Sequence, residues 1–385
     1  MPFPLSKRPI GKILSLVVVL VVIGLVSLGC VKGLRPIGWS GGAVSGDTLF
    51  IGSKEGRLVA VNVVDESRRW SAPLKASSGA GGFGCLPAAG GGCGAAAAGV
   101  AIYGTPAVAG DLVYVGGYNG KVYAYNSASL EVRWVYPRED SLEPIVGGLV
   151  VAGDKVFFGD SSGKVYALDA ATGDKQWEFE TQDKVWSTPA VAGGTLFIGS
   201  FDGKLYALSV ADGSLRWEFA TEGAIAAPPL VRGNTVYIGS FDRNLYALDA
   251  SSGRLKWKFL GGNWFWARPV AYGDTVYAGC LDGKVYALHA DSGDKVAEFD
   301  LGSPVSSSPV IADGAIIFAA RKGLIYKLDA ATNQMELLAD IKAEVFGPLA
   351  EYKGIVYIHT QDLTLHRVNV DTGARLMPIS LKSKD

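Results

Sequence analysis

The sequence predicts an all-β fold of eight four-stranded units that close into an eight-bladed β-propeller. A unit of about 40 residues repeats along the chain, and the glycine that ends its second strand recurs at 40-residue steps from Gly159 to Gly279. Within a unit, short apolar segments alternate with a period of two and meet at turn dipeptides such as Asp202-Gly203. Repeats of this length are typical of stacked units that cannot bury their apolar faces alone. Closure into a ring protects the strand edges that eight separate sheets would expose.

Residues 1–29 are predicted to form a signal peptide or a membrane anchor. A basic segment, Lys7 to Lys12, precedes an apolar run from Ile13 to Leu28, which predicts an N-terminus inside the cytoplasm and a body outside it. Two interpretations stay open. The segment Ser27 to Cys30 resembles a bacterial lipoprotein cleavage site, which makes Cys30 the lipidated residue. Alternatively, the segment remains uncleaved as an anchor. In both cases residues 30–37 form a linker to an extracytoplasmic, membrane-tethered body.

The propeller is predicted to span residues 38–380, with one insertion between its first two blades. The insertion, residues 76–101, is rich in Gly and Ala and contains Cys85 and Cys93. An oxidising compartment predicts a disulfide between these two cysteines. The insertion joins an outer strand to an inner strand, so we expect it on the face that carries one mouth of the central channel. It is either a flap over that mouth or a tolerated surface loop.

A ring of partly aromatic residues is predicted at this mouth of the channel. These residues stand thirteen positions before the landmark residue of each unit, at the head of the innermost strand. Gly is replaced at the landmark by Ala319 and His359 in the last two units. The eight ring positions hold Trp39, Tyr103, Val146, Trp186, Ala226, Trp266, Ser306 and Phe346. Five of them are aromatic, so the ring either plugs the channel or forms a platform for a partner peptide or a planar ligand.

The segment Asn263–Arg268 is predicted to be the main recognition surface on this face. Trp264, Phe265, Trp266 and Arg268 combine aromatic rings with a cation, a composition typical of protein-interaction hot spots. The predicted interaction face also contains the ring residues Trp39, Tyr103, Trp186 and Phe346. Apolar hairpin tips are expected on the same face, at Tyr118, Phe201, Phe241 and Leu281.

One repeated pattern resembles a known family. The segment from Tyr166 to Trp177 reads YALDAATGDKQW, and the segment from Tyr246 to Trp257 repeats its outline. This pattern resembles the repeat of the quinoprotein, or PQQ-type, propellers, in which the tryptophan docks between neighbouring blades. Ala297 and the last two units depart from it, which implies weaker docking there. The tryptophans that match are Trp70, Trp134, Trp177, Trp217 and Trp257.

The resemblance implies two functional classes. One is the quinoprotein dehydrogenases, which bind PQQ and usually Ca²⁺. The other is the BamB-like outer-membrane assembly lipoproteins, which are scaffolds. The single eight-unit ring, the absence of extra domains and the position of Cys30 resemble the second class. The sequence has no adjacent cysteine pair and no Cys-x-x-Cys-His haem motif.

Other signals argue against catalysis and nucleic-acid binding. The net charge is −1, so no broad basic field is expected to attract nucleic acid. His289, His359 and His366 do not have the spacing of a metal site. We therefore expect a monomeric, non-catalytic scaffold without cofactor or metal, which binds membrane-associated protein or peptide partners, as in envelope protein assembly. A PQQ-dependent oxidoreductase and a ligand-binding or sensor ectodomain remain as alternatives.

Overall fold

The computed structural model describes residues 40–75 and 100–383, and this part of the chain is an eight-bladed β-propeller. The all-β prediction is confirmed. No helix in these residues is long and apolar enough to cross a membrane. The proposed signal or anchor segment with Cys30, the linker, Trp39, and the cysteines Cys85 and Cys93 lie outside the described residues.

Each blade consists of four strands that follow one another in the chain. The innermost strands are β1 (Gly42–Ser45), β5 (Ala107–Ala109), β9 (Val150–Ala152), β13 (Ala190–Ala192), β17 (Leu230–Arg232), β21 (Val270–Tyr272), β25 (Val310–Ala312) and β29 (Ala350–Tyr352). The second strands are β2 (Thr48–Gly52), β6 (Leu112–Gly116), β10 (Lys155–Gly159), β14 (Thr195–Gly199), β18 (Thr235–Gly239), β22 (Thr275–Gly279), β26 (Ala315–Ala319) and β30 (Ile355–Thr360). The third strands are β3 (Leu58–Asn62), β7 (Val122–Asn126), β11 (Lys164–Asp169), β15 (Lys204–Ser209), β19 (Asn244–Asp249), β23 (Lys284–His289), β27 (Leu324–Asp329) and β31 (Thr364–Asn369). The outermost strands are β4 (Arg68–Trp70), β8 (Val132–Tyr136), β12 (Lys175–Glu180), β16 (Leu215–Ala220), β20 (Leu255–Leu260), β24 (Lys295–Asp300), β28 (Gln334–Asp340) and β32 (Arg375–Ser380).

All pairings within a blade are antiparallel, and the hairpin turns set their register. In blade 4, Phe197 pairs with Ala207 and Ala207 pairs with Trp217. The turn between the second and third strands contains Gly203 at a φ of 82°, a left-handed conformation that glycine adopts without a Cβ clash. Gly203 therefore has the positive φ that the prediction required, whereas Asp202 does not, and the turn comprises the four residues from Ser200 to Gly203.

The hydrophobic core consists of eight layers, each shared by two adjacent blades. The layer between blades 4 and 5, for example, joins Phe197 and Leu205 to Ile225 and Val236. The layer between blades 8 and 1 joins Leu365 to residues of β2 and β3. Because both faces of a blade are covered, the second and third strands are buried along most of their length, as in β14 and β15. The ring is thus closed by packing between the first and last blades, without exchange of a strand.

Tryptophans of the outermost strands bridge adjacent blades. The indole Nε1 of Trp134 donates a hydrogen bond to the carbonyl oxygen of Ala170 in the next blade, at 3.0 Å. Trp177, Trp217 and Trp257 repeat the bond at 2.9 to 3.1 Å. Trp70 instead donates to the carbonyl oxygen of Leu381, after the last strand of blade 8, at 3.0 Å. This tryptophan therefore helps to close the ring.

Blade 6 lacks such a tryptophan, because Ala297 occupies the position in β24. The hydroxyl of Tyr277 in this blade donates to Oδ1 of Asn333 in blade 7, at 3.1 Å. The interface between blades 6 and 7 therefore lacks the hydrogen bond from an outer-strand tryptophan and has this bond from a core tyrosine.

Candidate functional site

One mouth of the central channel gathers the residues that the repeat register singled out. A cavity of about 70 Å³ there is lined by residues of blades 2 to 8. It includes every predicted ring position that the structure describes: Tyr103, Val146, Trp186, Ala226, Trp266, Ser306 and Phe346. These residues lie in the segments that connect one blade to the next, a few positions before the innermost strands. They do not lie at the strand heads, because the innermost strands begin several residues later, as at Ala190 after Trp186. In five blades a proline directly precedes the innermost strand, such as Pro189 before Ala190.

Each connecting segment is anchored through the residue that precedes the ring position. The backbone N–H of Val185 donates to the carbonyl oxygen of Asp160, and that of Ile225 donates to Ser200, both at 2.9 Å. The side chains of Val185 and Ile225 are completely buried. Because successive side chains of an extended segment face opposite sides, the next residue faces the channel mouth.

The prediction that Phe265 belongs to the exposed face is wrong. Phe265 occupies the anchoring position of its segment, is only 1% exposed and packs against Tyr286 at a centroid distance of 6.0 Å. A Cβ on Gly239 would lie 2.4 Å from the Cβ of Phe265, so the landmark glycine makes room for this ring. Because side chains alternate along an extended segment, the neighbouring Trp264 and Trp266 face away from the core, on the side of the channel mouth.

A continuous row of aromatic rings, which we call the aromatic arc, crosses blades 4 to 6 on this face. Ring centroids are 4.8 Å apart in the pair Trp186–Phe201 and 5.8 Å apart in the pair Phe201–Phe241. Phe241 then stacks on Trp264 at 4.4 Å and on Trp266 at 5.3 Å. Trp264 is 42% exposed, and the other four rings are half-buried.

The arc is held in place from the end nearest blade 3. Trp186 donates a hydrogen bond from Nε1 to Oγ of Ser161, at 3.0 Å. Lys184 Nζ lies 5.4 Å from the ring centroid of Trp186 and 5.3 Å from that of Phe201, within cation–π range. The sequence did not single out Lys184, although it stands two positions before a ring residue. An indole with a fixed orientation loses little freedom on binding a partner, so the arc is preorganised.

The hairpin-tip aspartates of blades 4 to 6 have a structural role. Oδ2 of Asp242 accepts bonds from the Tyr246 hydroxyl at 2.7 Å and from the backbone N–H of Glu222 at 3.0 Å. Burial acts to raise the pKa of Asp242, but these hydrogen bonds outweigh it and hold the pKa below its usual value. Asp202 makes the same two kinds of contact. Each of these aspartates therefore links its hairpin turn to the segment that leaves the preceding blade.

Tyr103 and Phe346 lie on other parts of the mouth. Tyr103 packs edge-on against Tyr118 at 5.2 Å and is only 4% exposed, and burial raises the pKa of its hydroxyl. The guanidinium of Arg321 lies 5.0 Å above the ring of Phe346. Arg321 is a second cation at the mouth that the sequence prediction missed. It occupies the same hairpin-tip position as Phe201 and Phe241, and that register could have identified it.

The cavity does not fit PQQ with its calcium ion. Small-molecule sites usually measure about 300–1,000 Å³, several times the volume here. The residues that line the cavity include no Asp, Glu, Asn or Gln, whose oxygens are the side-chain ligands of Ca²⁺. In residues 40–75 and 100–383, no three His, Cys, Asp or Glu side chains are grouped so that they could hold a metal ion.

Comparisons with known proteins agree with this architecture. A family model described as "Outer membrane protein assembly factor BamB" matches residues 31–184 and 162–376. No curated protein sequence gives a significant match.

Three solved structures illustrate the likeness of the fold. BamB from Moraxella catarrhalis has 20% identity and a TM-score of 0.67, over 83% of this chain and 93% of that one. The computationally designed Ika8 protein has 16% identity and a TM-score of 0.68, over 85% and 94%. Sqt1 from Saccharomyces cerevisiae has 14% identity and a TM-score of 0.64, over 73% and 85%. At these identities the structural matches show the propeller fold alone.

Proposed function

The chain belongs to the family described as outer membrane protein assembly factor BamB, and we propose that it is a non-catalytic scaffold of envelope protein assembly. In this role it binds protein partners on the face that carries the channel mouth. The proposal includes an extracytoplasmic body tethered to a membrane through residues 1–29 or through a lipid on Cys30. The basic and apolar pattern of the N-terminal segment and the description of the family support this location.

The aromatic arc is the observation that carries the proposal. Binding energy at protein interfaces is concentrated in a few Trp, Tyr and Arg residues that form a cluster. Here three indoles and two phenyl rings form one row across three blades, with Trp264 exposed at its blade 6 end. Such a row offers apolar contact over a length that suits an extended segment of another protein. The small cavity beside it favours a protein partner over a small ligand.

The residues at the mouth also support a role without catalysis. A general base is usually a carboxylate, an imidazole or an amine, and less often a phenol or thiol, within reach of the reacting group. Among the side chains that line the cavity, Tyr103 alone carries such a group, and burial raises the pKa of its hydroxyl. Among the histidines, burial lowers the pKa of His359 and of His366, and both lie in blade 8 at positions that do not line the cavity.

A photo-crosslinking experiment tests the proposal in the native membrane. The full chain carries a photoreactive amino acid at Trp264, and the matched control carries it at Met377, which is 78% exposed on an outermost strand. We expect position 264 to crosslink to a component of the β-barrel assembly machinery and position 377 to give no such product. Equal labelling from both positions would contradict the assigned face. Stoichiometric uptake of PQQ with dye-linked alcohol oxidation would contradict the scaffold function itself.

A further inference from the structure

The interface between blades 7 and 8 lacks a pair of aromatic rings that four other interfaces have. At those interfaces a ring of the outermost strand contacts a tyrosine in the third strand of the next blade, with centroids 5.0 to 6.4 Å apart. The pairs are Tyr136–Tyr166, Phe179–Tyr206, Phe219–Tyr246 and Phe259–Tyr286. Ala339 and His366 occupy the two positions between blades 7 and 8, so smaller side chains fill this interface.

A cavity of about 340 Å³, which we call the blade 7–8 cavity, opens beside His366. It is lined by Ile341 at the end of blade 7 and by His366, Arg367 and residues 375–378 of blade 8. The outermost strand of blade 8 bulges there, because Met377 and Pro378 together stand opposite His366. Small-molecule sites usually measure about 300–1,000 Å³, so this cavity is large enough for a small ligand.

The cavity contains a cation whose usual partner is missing. Lys295 stands at the position of Arg375 in blade 6 and pairs with Glu298, three residues later, at 2.7 Å. The same pair occurs in blade 3. In blade 8 the glutamate position holds Pro378, and no carboxylate lines the cavity. Blade 8 has therefore kept the cation of this pair and lost the anion.

The guanidinium of Arg375 and the ring of His366 both have polar groups available at the cavity. Arg375 donates from Nη1 to the backbone carbonyl oxygen of Asp340 in blade 7, which holds its side chain across the interface. The carboxylate of Asp340 pairs with Lys342. Nε2 of His366 is buried and has no hydrogen-bond partner within the part of the chain that the structure describes. Buried polar groups are normally paired, so this nitrogen indicates a ligand.

The electrostatics of the cavity favour an anion. Burial lowers the pKa of His366, the charge of Asp362 acts to raise it, and the charge of Arg375 acts to lower it. Arg367 is already neutralised, because its Nη1 pairs with Glu66 of blade 1 at 2.8 Å. An anion between Arg375 and His366 would therefore replace the missing carboxylate, and guanidinium groups bind carboxylate and phosphate well.

We propose that the blade 7–8 cavity binds a small organic molecule that carries a carboxylate or phosphate group and an apolar substituent. The anionic group lies between the guanidinium of Arg375 and Nε2 of His366. The apolar substituent lies against Ile341 and against Leu376 and Met377, which are 39% and 78% exposed. The site is separate from the aromatic arc, and the inference does not depend on the scaffold function.

Nuclear magnetic resonance of the histidine rings tests the proposal. The chain contains three histidines, so the full chain in detergent with isotopically labelled histidine gives few imidazole signals. The probes are benzoate, phenyl phosphate and benzamide, the neutral analogue of benzoate. We expect at least one of the two anions to move the His366 signal and to raise its pKa. The signals of His289, which is exposed, and of buried His359 should not move.

The neutral probe measures the contribution of the charge. Benzamide should bind at least about tenfold more weakly than benzoate, a difference of about 1.4 kcal/mol. Inorganic phosphate, which has no apolar substituent, should bind more weakly than phenyl phosphate. The comparison of benzoate with phenyl phosphate identifies which anionic group the site prefers.

Three variants at exposed positions separate this site from other surface cations. Arg375→Gln removes the cation and should weaken binding of the anions at least about tenfold. Pro378→Glu places a carboxylate where blades 3 and 6 have one, so it should compete with the probes. Lys295→Gln is the matched control at the same position of blade 6 and should leave binding unchanged. Thermal melting shows that each variant folds.

Four results would overturn the proposal. They are an unmoved His366 signal with both anions at millimolar concentration, equal binding of benzoate and benzamide, equal movement of all three histidine signals, and unchanged binding in both Arg375→Gln and Pro378→Glu. The crosslink from position 264 is an independent measurement. If it forms while any of these results is found, the anion site is wrong and the scaffold function stands.

Discussion

The indole ring of Trp264 lies nearly parallel to the phenyl ring of Phe241, with centroids 4.4 Å apart and planes 6° apart. Phe241 is the hairpin tip of blade 5, and Trp264 belongs to the segment that leads into blade 6. The contact therefore depends on two blades being adjacent. It holds an exposed indole on the surface without burying it, which is the arrangement expected of a residue that contacts a partner.

Trp264→Ala should reduce partner capture while leaving the fold intact. Hot-spot residues cost at least about 2 kcal/mol on truncation, so we expect a loss of affinity of about thirtyfold. The indole lies on the surface and is 42% exposed, so the melting temperature should change little. Leu260→Ala, at a residue that is 60% exposed on an outermost strand, is the matched control and should retain capture. Unchanged capture by the Trp264 variant would exclude it from the binding surface.

Trp257→Phe should destabilise the propeller through the loss of a single hydrogen bond. The Nε1 of Trp257 donates to the carbonyl oxygen of Ala290 in the next blade at 2.9 Å, and the contact is buried. This carbonyl keeps its hydrogen bond from the Tyr237 hydroxyl at 3.1 Å, so we expect the loss of the indole bond to lower the free energy of unfolding by about 0.5–1.5 kcal/mol. Urea unfolding measures the change. Trp264→Phe makes the same chemical change at the surface and should have almost no effect on stability.

Gly253→Ala should cost more stability than Gly233→Ala. Both glycines have a positive φ, 71° and 54°, so an added Cβ strains each by about 1–2 kcal/mol. A Cβ on Gly253 would also lie 2.6 Å from the ring of Trp217, whereas a Cβ on Gly233 would meet nothing within 4 Å. We expect a further loss of about 1–3 kcal/mol at Gly253, measured by chemical unfolding. Equal losses would show that Trp217 does not dock tightly there.

The stability of the propeller should decrease as the pH falls below about 6.5. Nδ1 of His359 in blade 8 donates to the carbonyl oxygen of Ser40 at 3.2 Å, and its Nε2 is buried without a partner in the described residues. Burial lowers the pKa of His359, so the folded protein keeps this ring neutral at a pH where the unfolded chain takes up a proton. Stability is therefore complete above the unfolded pKa of about 6.5 and is lost below it, by at most about 1.4 kcal/mol per pH unit.

Unfolding in urea at several values between about pH 8 and pH 5.5 measures this dependence. His359→Asn should remove its share of the slope. Burial also lowers the pKa of His366, so His366→Asn is the companion variant that measures the remaining share. A wild-type stability that is constant over this range would contradict the burial of a neutral His359.

Much of the mouth could be predicted from register alone. The thirteen-residue offset from the landmark position identified Trp186, Trp266 and Phe346, which line one cavity in the structure. Register could not show that Phe265 faces the core, because the prediction treated the segment as a loop and did not apply the alternation of an extended chain to it. The partner of Trp70, Leu381, also escaped prediction, since the two residues lie at opposite ends of the ring sequence.

By itself the sequence determined the unit, the number of blades and the positions of the turns. These depend on short-range features, namely side-chain alternation and glycines at positive φ, which act within a few residues. Only the tertiary structure decided which side chains meet across blades. The aromatic arc, the closure of blade 8 on blade 1 and the buried Ser306 Oγ and Arg321 Nε, which lack a hydrogen-bond partner within the described residues, all depend on the angle at which neighbouring sheets pack. That angle is set by the shared hydrophobic layers of the whole ring, and no single repeat contains it.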